Sequence, residues 1–338
     1  MRTIRSVALG ATMLALLASA CTSGGSSTSP TTAPASEAPS LPAASQPAAS
    51  ATAGPAISTT LVLGGPAECP NRPFCLKGLQ DKYGLAFKDF KALDSGGPLT
   101  VQALKSNLIQ VGLLFTSDAA IAANQFVLLQ DDKQLQLADN LVPVVRQAVL
   151  DKSPGIADLL NGIMAKLSQT ELTNLNKSVG VDHVAAADAA KAWLTTNGFL
   201  PGPGGSGKGA VVVGSTNFSE QEILGELFAQ VLVANGYQVD KKFQLGNREV
   251  VFPALQSGKI DILAEYAATL LEFVNKGAGE ATSDAAATVA KLKTRLAPLG
   301  LTALNAAAAT DQNGFVVTND TATKYGLVKI SDLGKPLP

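Results

Sequence analysis

The sequence predicts an α/β protein of two similar lobes with a ligand cleft between them, because three kinds of segment occur twice in the same order. The first pair reads as a buried strand followed by a turn, the second as an alternating strand and turn, and the third as a helix followed by a strand. The pairs are 61–66 with 211–216, 83–97 with 235–249, and 103–115 with 254–266. Together they indicate two copies of a β-α-β-α-β unit. In such sheets ligands bind beyond the carboxyl ends of the strands.

Two helices carry start signals in the sequence. Ser219 and Glu222 have the spacing of a capping box, and the helix that they begin is predicted to end at Gly236. Its apolar residues recur at helical intervals. Ser168 and Glu171 form a second such pair, in a helical stretch that lies between the two repeats.

The amino-terminal residues read as a targeting segment. Residues 1–20 contain two arginines, an apolar run and then small residues, which is the layout of a secretory signal. The ending LLASAC resembles a bacterial lipoprotein signal, in which Cys21 would be lipidated, and an ordinary secretory signal is the alternative. Residues 21–57 are rich in serine, threonine, alanine and proline, which predicts a disordered tether.

Composition excludes several classes of protein. The formal net charge is -1, which gives no general attraction to nucleic acid. His183 is the only histidine, and neither a catalytic triad, a metal-ligand cluster nor a phosphate loop is apparent. We therefore predict no enzymatic activity, no cofactor and no metal. Cys69 and Cys75 form a close pair, which outside the cytoplasm indicates a disulfide.

Long phrases of the chain resemble the extracellular solute-binding proteins of the glycine betaine, carnitine and choline ABC importers. They include LVLGGPAECPNRPFCLKGL, VGLLFTSDAAIAANQFVLLQDDK, VGSTNFSEQEILGELFAQVL, LGNREVVFPALQSGKIDILAEYAATL and DQNGFVVTNDTATKYGLVKISDL. With shorter phrases they cover nearly all of residues 58–338. The resemblance implies a type II periplasmic-binding fold, in which two crossovers join two lobes.

The order of these phrases differs from the order in the family. There the phrase like VGSTNFSEQ comes first, and the phrase like KISDL continues into the one like LVLGGP. We therefore predict a circular permutation, in which the connector at 200–210 joins the family's original ends and the new ends lie near 58 and at Pro338. A fusion of two half-proteins and a truncated tandem are the alternatives. If the chain is permuted, residues 315–335 must pack beside residues 60–115.

The resemblance also predicts the domain boundaries. We expect lobe B to combine residues 58–137 with 311–338, and lobe A to comprise residues 138–310. The crossovers are expected near 134–140 and 307–312. Permutation would move the tether from one lobe to the other.

The resemblance implies a ligand site in the cleft. Aromatic faces hold a quaternary ammonium by cation–π attraction, and an arginine holds a carboxylate. Arg72 stands where family members place a ligand-contacting arginine, Tyr266 and Thr269 match a ligand-binding pair, and Phe115 occupies a position that can be a cage tyrosine. The full set of predicted ligand-binding residues is Arg72, Phe115, Thr116, Asp139, Asn217, Phe218, Tyr266, Thr269, Gln312 and Asn313.

Departures from the family pattern predict a more polar cleft. Thr216 stands where many members have lysine, and Asp139 and Asn313 fall near positions of cage tyrosines. The chain has only 4 Tyr and 1 Trp, so a complete aromatic cage is not expected. Asp139 could instead partner a cation by charge.

The predicted function is that of an extracytoplasmic solute-binding protein of an ABC importer. It would capture glycine betaine, choline, carnitine or a similar solute and deliver it to the permease. We expect a monomer, anchored to the cell membrane through lipid at Cys21. The alternatives are the same fold with a more polar or aromatic solute, and a sensing or envelope lipoprotein.

Overall fold

The computed structural model describes residues 54–202 and 204–338. The predicted signal segment, Cys21 and nearly all of the predicted tether lie outside these residues. Among the described residues, no helix combines the length and hydrophobicity that crossing a membrane requires.

Within residues 54–202 and 204–338, ten strands form two five-stranded sheets, with the order β2-β1-β3-β10-β4 in one and β7-β6-β8-β5-β9 in the other. We call the first sheet with its helices lobe B and the second lobe A. The strands are β1 Val62–Pro66, β2 Asp89–Leu93, β3 Val111–Phe115, β4 Val127–Leu128, β5 Leu141–Arg146, β6 Ala210–Gly214, β7 Gln238–Lys242, β8 Ile262–Tyr266, β9 Leu301–Ala303 and β10 Asn313–Val317.

Twelve α-helices are present in the described part of the chain. They are α1 Leu76–Tyr83, α2 Pro98–Lys105, α3 Ala120–Ala123, α4 Gln147–Lys152, α5 Gly155–Lys166, α6 Gln169–Gly180, α7 Ala186–Thr196, α8 Ser219–Ala234, α9 Arg248–Gln256, α10 Ala267–Val274, α11 Ala285–Leu296 and α12 Asn319–Tyr325.

The two sheets repeat the same pairing. In each sheet, the first strand of the repeat, β1 or β6, pairs in parallel with the second and third strands of the repeat. The third strand pairs antiparallel with a strand that reaches the sheet through a crossover, β10 in lobe B and β5 in lobe A. Both sheets also have a glycine in the first strand of the repeat that an isoleucine side chain approaches closely. A Cβ added at Gly64 would lie 2.6 Å from Ile109 Cδ1, and one added at Gly214 would lie 2.5 Å from Ile260 Cδ1. The predicted α/β fold of two repeated units is therefore confirmed.

The sequence patterns of the strands reflect their positions in the sheets. The central strands β3 and β8 are almost wholly buried and apolar, as expected for strands that helices cover on both faces. The edge strands β2 and β7 are mostly exposed. Glu265 is the exception, since it is charged and lies inside a strand whose five residues are all buried.

The two ends of the described chain meet in lobe B. The Ile57 N–H donates to Lys335 O at 2.8 Å, and the Leu337 N–H donates to Pro55 O at 3.0 Å. β10 pairs with β3. The carboxyl-terminal segment thus packs beside the first strands, as the sequence predicts. Because Ile57 is buried and hydrogen-bonded, residues 55–57 belong to the folded body rather than to the predicted tether.

Ile330→Val is expected to lower the free energy of unfolding by about 0.5–1.5 kcal/mol. Ile330 is 1% exposed and packs in the core of lobe B with the first strand, so a lost methylene leaves space there. The measurement is equilibrium urea unfolding. Val328→Ala is the control, because Val328 is 58% exposed and its loss should change stability by under about 0.5 kcal/mol. Equal effects of the two variants would contradict the packing of the tail.

The two predicted helix starts have different outcomes. The Ser168 hydroxyl accepts the Glu171 N–H at 3.3 Å, as predicted. Ser219 is not a cap: α8 begins at Ser219, its N-cap is Phe218, and no side chain caps it. The prediction of a capping box there was wrong because the chain enters the helix one residue earlier, with the Phe218 ring directed into the cleft between the lobes.

Candidate functional site

A cavity of about 670 Å³ lies between the two lobes. It is lined at the carboxyl ends of central strands, by Pro66 and Phe115 in lobe B and by Thr216 and Tyr266 in lobe A. This is the edge at which open parallel sheets bind ligands. The described residues contain no group of three or more His, Cys, Asp or Glu side chains that could hold a metal ion.

Three aromatic rings cross the cleft as a stack. The ring centroids of Phe115 and Phe218 are 4.9 Å apart, and those of Phe218 and Tyr266 are 6.3 Å apart. Phe115 belongs to lobe B and the other two to lobe A, so the stack joins the lobes. Its faces can attract an organic cation.

The loop that carries Arg72 is closed by a disulfide between Cys69 and Cys75. Arg72 lines the cavity, but its guanidinium is already paired. Its Nη2 lies 2.8 Å and 3.0 Å from the two carboxylate oxygens of Glu249 in lobe A, and 3.3 Å from Glu68. Arg72 therefore connects the two lobes at the mouth of the cleft.

Arg72→Gln is expected to change the free energy of unfolding by less than about 1 kcal/mol, because this ion pair is largely exposed. A double-mutant cycle with Glu249→Gln, measured by urea unfolding, should give a coupling energy of about 0.2–1 kcal/mol. A coupling energy of several kcal/mol would contradict the exposed character of the pair.

A buried ion pair lies deeper in lobe A. Arg248 Nη2 lies 2.7 Å from Glu265 Oε2, its Nε lies 3.0 Å from both oxygens of Glu265, and its Nη2 also donates to Thr269 Oγ1 at 3.0 Å. Burial works to lower the pKa of Arg248, but the charge and hydrogen bonds of Glu265, together with the charges of Asp139 and Glu249, raise this pKa above the usual range. Arg248 therefore stays charged, and its guanidinium is held by Glu265 and Thr269.

Asp139 lies beside this pair at the base of the cleft. Its Oδ1 accepts the Thr269 N–H at 2.9 Å, which places the carboxyl at the start of α10. Burial raises the pKa of Asp139 to about 7, although the Thr269 N–H and the charge of Arg248 act to lower it. This carboxyl exchanges a proton near neutral pH and faces the cavity.

A second buried network joins the lobes through Ser117. Its hydroxyl oxygen lies 2.7 Å from Glu220 Oε2 in lobe A and 2.7 Å from Asp311 Oδ1. Glu220 also accepts the Tyr266 hydroxyl at 2.5 Å and the Asn176 amide at 2.5 Å. A hydroxyl has one proton to donate, so a proton on one of the two carboxyls would complete this network.

Burial explains how such a proton is retained. It raises the pKa of Glu220, although the hydrogen bonds from Tyr266, Asn176 and Ser117 act to lower it. Burial and the nearby charge of Glu220 raise the pKa of Asp311 well above the usual carboxyl range. Removing two anions from water at one place is costly unless one of them is neutral.

Eight of the ten predicted ligand-binding residues line this cavity, and two do not. Thr116 and Gln312 instead bond to each other beside the crossover: the Thr116 N–H donates to Gln312 O at 2.9 Å, and the Gln312 N–H donates to Thr116 Oγ1 at 3.0 Å. The eight lining residues are Arg72, Phe115, Asp139, Asn217, Phe218, Tyr266, Thr269 and Asn313. Of these, Asn313 uses its amide to hold Phe74 O at 2.9 Å.

Sequence reasoning missed the buried polar residues Ser117, Glu220, Arg248, Glu265 and Asp311. A signal existed for Glu265, because a charged residue within a continuous apolar strand needs a partner. No local pattern marks Ser117 or Asp311, which are 194 positions apart and meet only when the chain is folded.

The fold and the interlobe cleft define the class of two-lobed solute-binding proteins. The chain belongs to the OpuAC family, described as the substrate binding domain of ABC-type glycine betaine transport system, whose model matches residues 37–196 and 209–338. The family resemblance of the sequence is thereby confirmed.

Curated relatives agree with this family. The chain is 31% identical over 145 residues to the glycine-betaine-binding protein of Pseudomonas aeruginosa, covering 41% of this chain and 46% of that protein. It is 32% identical over 145 residues to the glycine betaine-binding protein YehZ of Escherichia coli, covering 41% of this chain and 48% of that protein. It is 29% identical over 126 residues to the carnitine transport binding protein OpuCC of Listeria monocytogenes, covering 37% of this chain and 40% of that protein. The chain thus spans less than half the length of each relative.

Among solved structures, an ancestral arginine-binding protein bound to arginine aligns with 82% of this chain and 91% of its own, at 17% identity and a TM-score of 0.41. Apo YehZ from Escherichia coli aligns with 79% of this chain and 83% of its own, at 13% identity and a TM-score of 0.34.

Proposed function

We propose that this protein is the solute-binding protein of an ABC importer, which captures a small osmoprotectant-type solute in the interlobe cleft and delivers it to the permease. Glycine betaine, choline, carnitine or a similar solute is the proposed cargo. The observation that carries the proposal is the stack of Phe115, Phe218 and Tyr266 across the cleft. Its three rings come from both lobes, so a cation bound there would favour the closed arrangement.

The family match and the names of the curated relatives support this cargo class. We propose a binding role rather than a catalytic one. The proposed location is extracytoplasmic, with a lipid anchor at Cys21 and a tether leading to the folded body, which would act as a monomer.

We also propose that the chain is a circular permutation of the family order. Two observations support it: the family model matches in two separate segments, and residues 55–57 and 335–337, at the two ends of the described chain, lie together in lobe B. The proposed lobe boundaries are 58–137 with 311–338, and 138–310.

Isothermal titration calorimetry with glycine betaine, choline and carnitine tests the proposed function. At least one of them should bind, and Phe218→Leu should weaken that binding about tenfold through loss of the central ring. Phe199→Leu is the matched control, because Phe199 stacks on Trp193 away from the cleft and its loss should leave affinity unchanged. Absence of binding by all three solutes would overturn the proposal.

A further inference from the structure

Ser117, Glu220 and Asp311, which we call the interlobe cluster, place two buried carboxyls from different lobes on one hydroxyl. Glu220 on α8 belongs to lobe A, whereas Ser117 follows β3 and Asp311 precedes β10 in lobe B. The exposed fraction is 1% for Ser117, 3% for Glu220 and 4% for Asp311. Water therefore has little access to either carboxyl while the lobes are in contact.

One added proton completes the hydrogen bonds of the interlobe cluster. The Ser117 hydroxyl oxygen lies 2.7 Å from each carboxyl, but the hydroxyl has a single proton. The Ser117 N–H donates to Asp311 Oδ1 at 3.1 Å, and the Asn176 amide donates to Ser117 Oγ at 3.0 Å. With both carboxyls ionised, one of the 2.7 Å contacts would hold two oxygens together with no proton between them. A proton on Glu220 or Asp311 makes each of these contacts a hydrogen bond.

The charged groups around the interlobe cluster oppose the ionisation of both carboxyls. The carboxyls of Asp118 and Asp139 add negative charge from lobe B and the crossover. On lobe A, the Tyr266 hydroxyl donates to the cluster at 2.5 Å, and the cation of Arg248 is held by Glu265. Burial raises the pKa of both cluster carboxyls, and for the carboxyl of lobe B nearby negative charge adds to this effect.

Opening of the cleft would remove the conditions that retain the proton. Separation of the lobes moves Glu220 on lobe A away from Ser117 and Asp311 on lobe B. Water then reaches both carboxyls, and a hydrated carboxyl ionises near about pH 4. At neutral pH the open protein would therefore hold one proton fewer than the closed protein.

We propose that the interlobe cluster is a proton-operated latch, which takes up about one proton when the lobes close and releases it when they open. Acid then favours the closed state. Between about pH 5 and the pH at which the closed cluster ionises, each pH unit lowers the ratio of closed to open protein by up to about tenfold. A solute that binds the closed state gains from the same proton, because coupling between two ligands is reciprocal. The latch goes beyond the proposed function, since it depends on lobe closure and not on the identity of the solute.

Pulsed electron paramagnetic resonance on the empty protein tests the latch without any solute. Spin labels are attached to cysteines introduced as Val328→Cys in lobe B and Val233→Cys in lobe A, at side chains that are 58% and 53% exposed. Cys21→Ser leaves these as the only free thiols, since Cys69 and Cys75 form a disulfide. Between pH 5 and pH 8, one population of distances between the labels should give way to a second as the lobes open.

Asp311→Asn and Glu220→Gln are the test variants, because each replaces one cluster carboxyl with a neutral amide of the same shape. Both should make the closed population much less dependent on pH, although Asp118 and Asp139 still titrate. Asp320→Asn is the matched control, because Asp320 is exposed on α12 and its profile should follow that of the unmodified protein. If the unmodified protein gives the same distances at pH 5 and pH 8, or if both neutral variants respond to pH as it does, the latch is overturned.

Calorimetry counts the proton when a solute binds. For whichever of glycine betaine, choline and carnitine binds, the binding enthalpy at pH 7 is compared in phosphate and Tris buffers, whose heats of protonation differ. The unmodified protein should take up about one proton more than Asp311→Asn. Equal proton uptake by the two proteins would overturn the latch and leave the importer function intact. If none of the three solutes binds, the importer proposal fails, and the distances between the spin labels decide the latch.

Discussion

Arg248→Met is expected to lower the free energy of unfolding by about 3–5 kcal/mol, because it leaves Glu265 buried without its charged partner. Arg248 makes three short contacts with Glu265, whose side chain is only 2% exposed. Methionine fills much of the same volume as arginine, so the lower stability reports the missing charge rather than a cavity. Asp139, which also feels the charge of Arg248, loses stabilisation of its anion at the same time.

Guanidinium chloride unfolding at pH 7 measures this loss, and far-UV circular dichroism verifies that the variant folds. Arg72→Met is the matched control, since it removes an arginine from an exposed ion pair and should cost less than about 1 kcal/mol. The double variant Arg248→Met/Glu265→Leu should recover most of the lost stability, because it removes both charges together. If the double variant is no more stable than Arg248→Met, the unpaired carboxylate is not the cause of the loss.

Asp311→Asn is expected to become progressively more stable than the unmodified protein as the pH rises from 5 to 7. The difference in unfolding free energy should grow by about 1.4 kcal/mol per pH unit. Asparagine resembles the protonated carboxyl, because it is neutral and its amide oxygen can accept the Ser117 N–H as Asp311 Oδ1 does. It has no proton to lose.

The sign follows from the pKa of Asp311, which burial and the charge of Glu220 raise well above the usual range. In the unfolded chain this group ionises near pH 4. Above that pH the folded protein holds a proton that the unfolded chain has lost, so stability falls as pH rises, until Asp311 also ionises in the folded state. Glu220, Asp139 and Tyr266 are the titratable groups that surround it.

Urea unfolding at pH 5, 6 and 7 gives the comparison. Glu220 and Asp139 contribute slopes of the same sign to both proteins, since burial raises the pKa of each. Their contributions largely cancel in the difference. Asp320→Asn is the control, because Asp320 is exposed on α12 and its pH profile should run parallel to that of the unmodified protein. A constant difference between Asp311→Asn and the unmodified protein would show that Asp311 does not hold the proton.

Much of lobe organisation could be predicted from the sequence, because it depends on local patterns. The apolar runs at 61–66 and 211–216 become the equivalent strands β1 and β6, and the tail after β10 packs beside the first folded residues of the described chain, as predicted. The aromatic positions Phe115 and Tyr266 were also predicted to line the cleft, since both end a central strand. The start of α8 was not predicted correctly, because the spacing of Ser219 and Glu222 does not determine where the chain enters the helix.

The sequence by itself determined the strands, the repeat, the family and the residues at the strand ends, since apolar periodicity and short motifs act over a few residues. Only the tertiary structure decided which polar groups share the cleft. Ser117 meets Glu220 across 103 positions and Asp311 across 194, and Arg72 meets Glu249 across 177. Such partners are brought together only by the folding of distant parts of the chain, and burial there raises the pKa of Glu220 and Asp311.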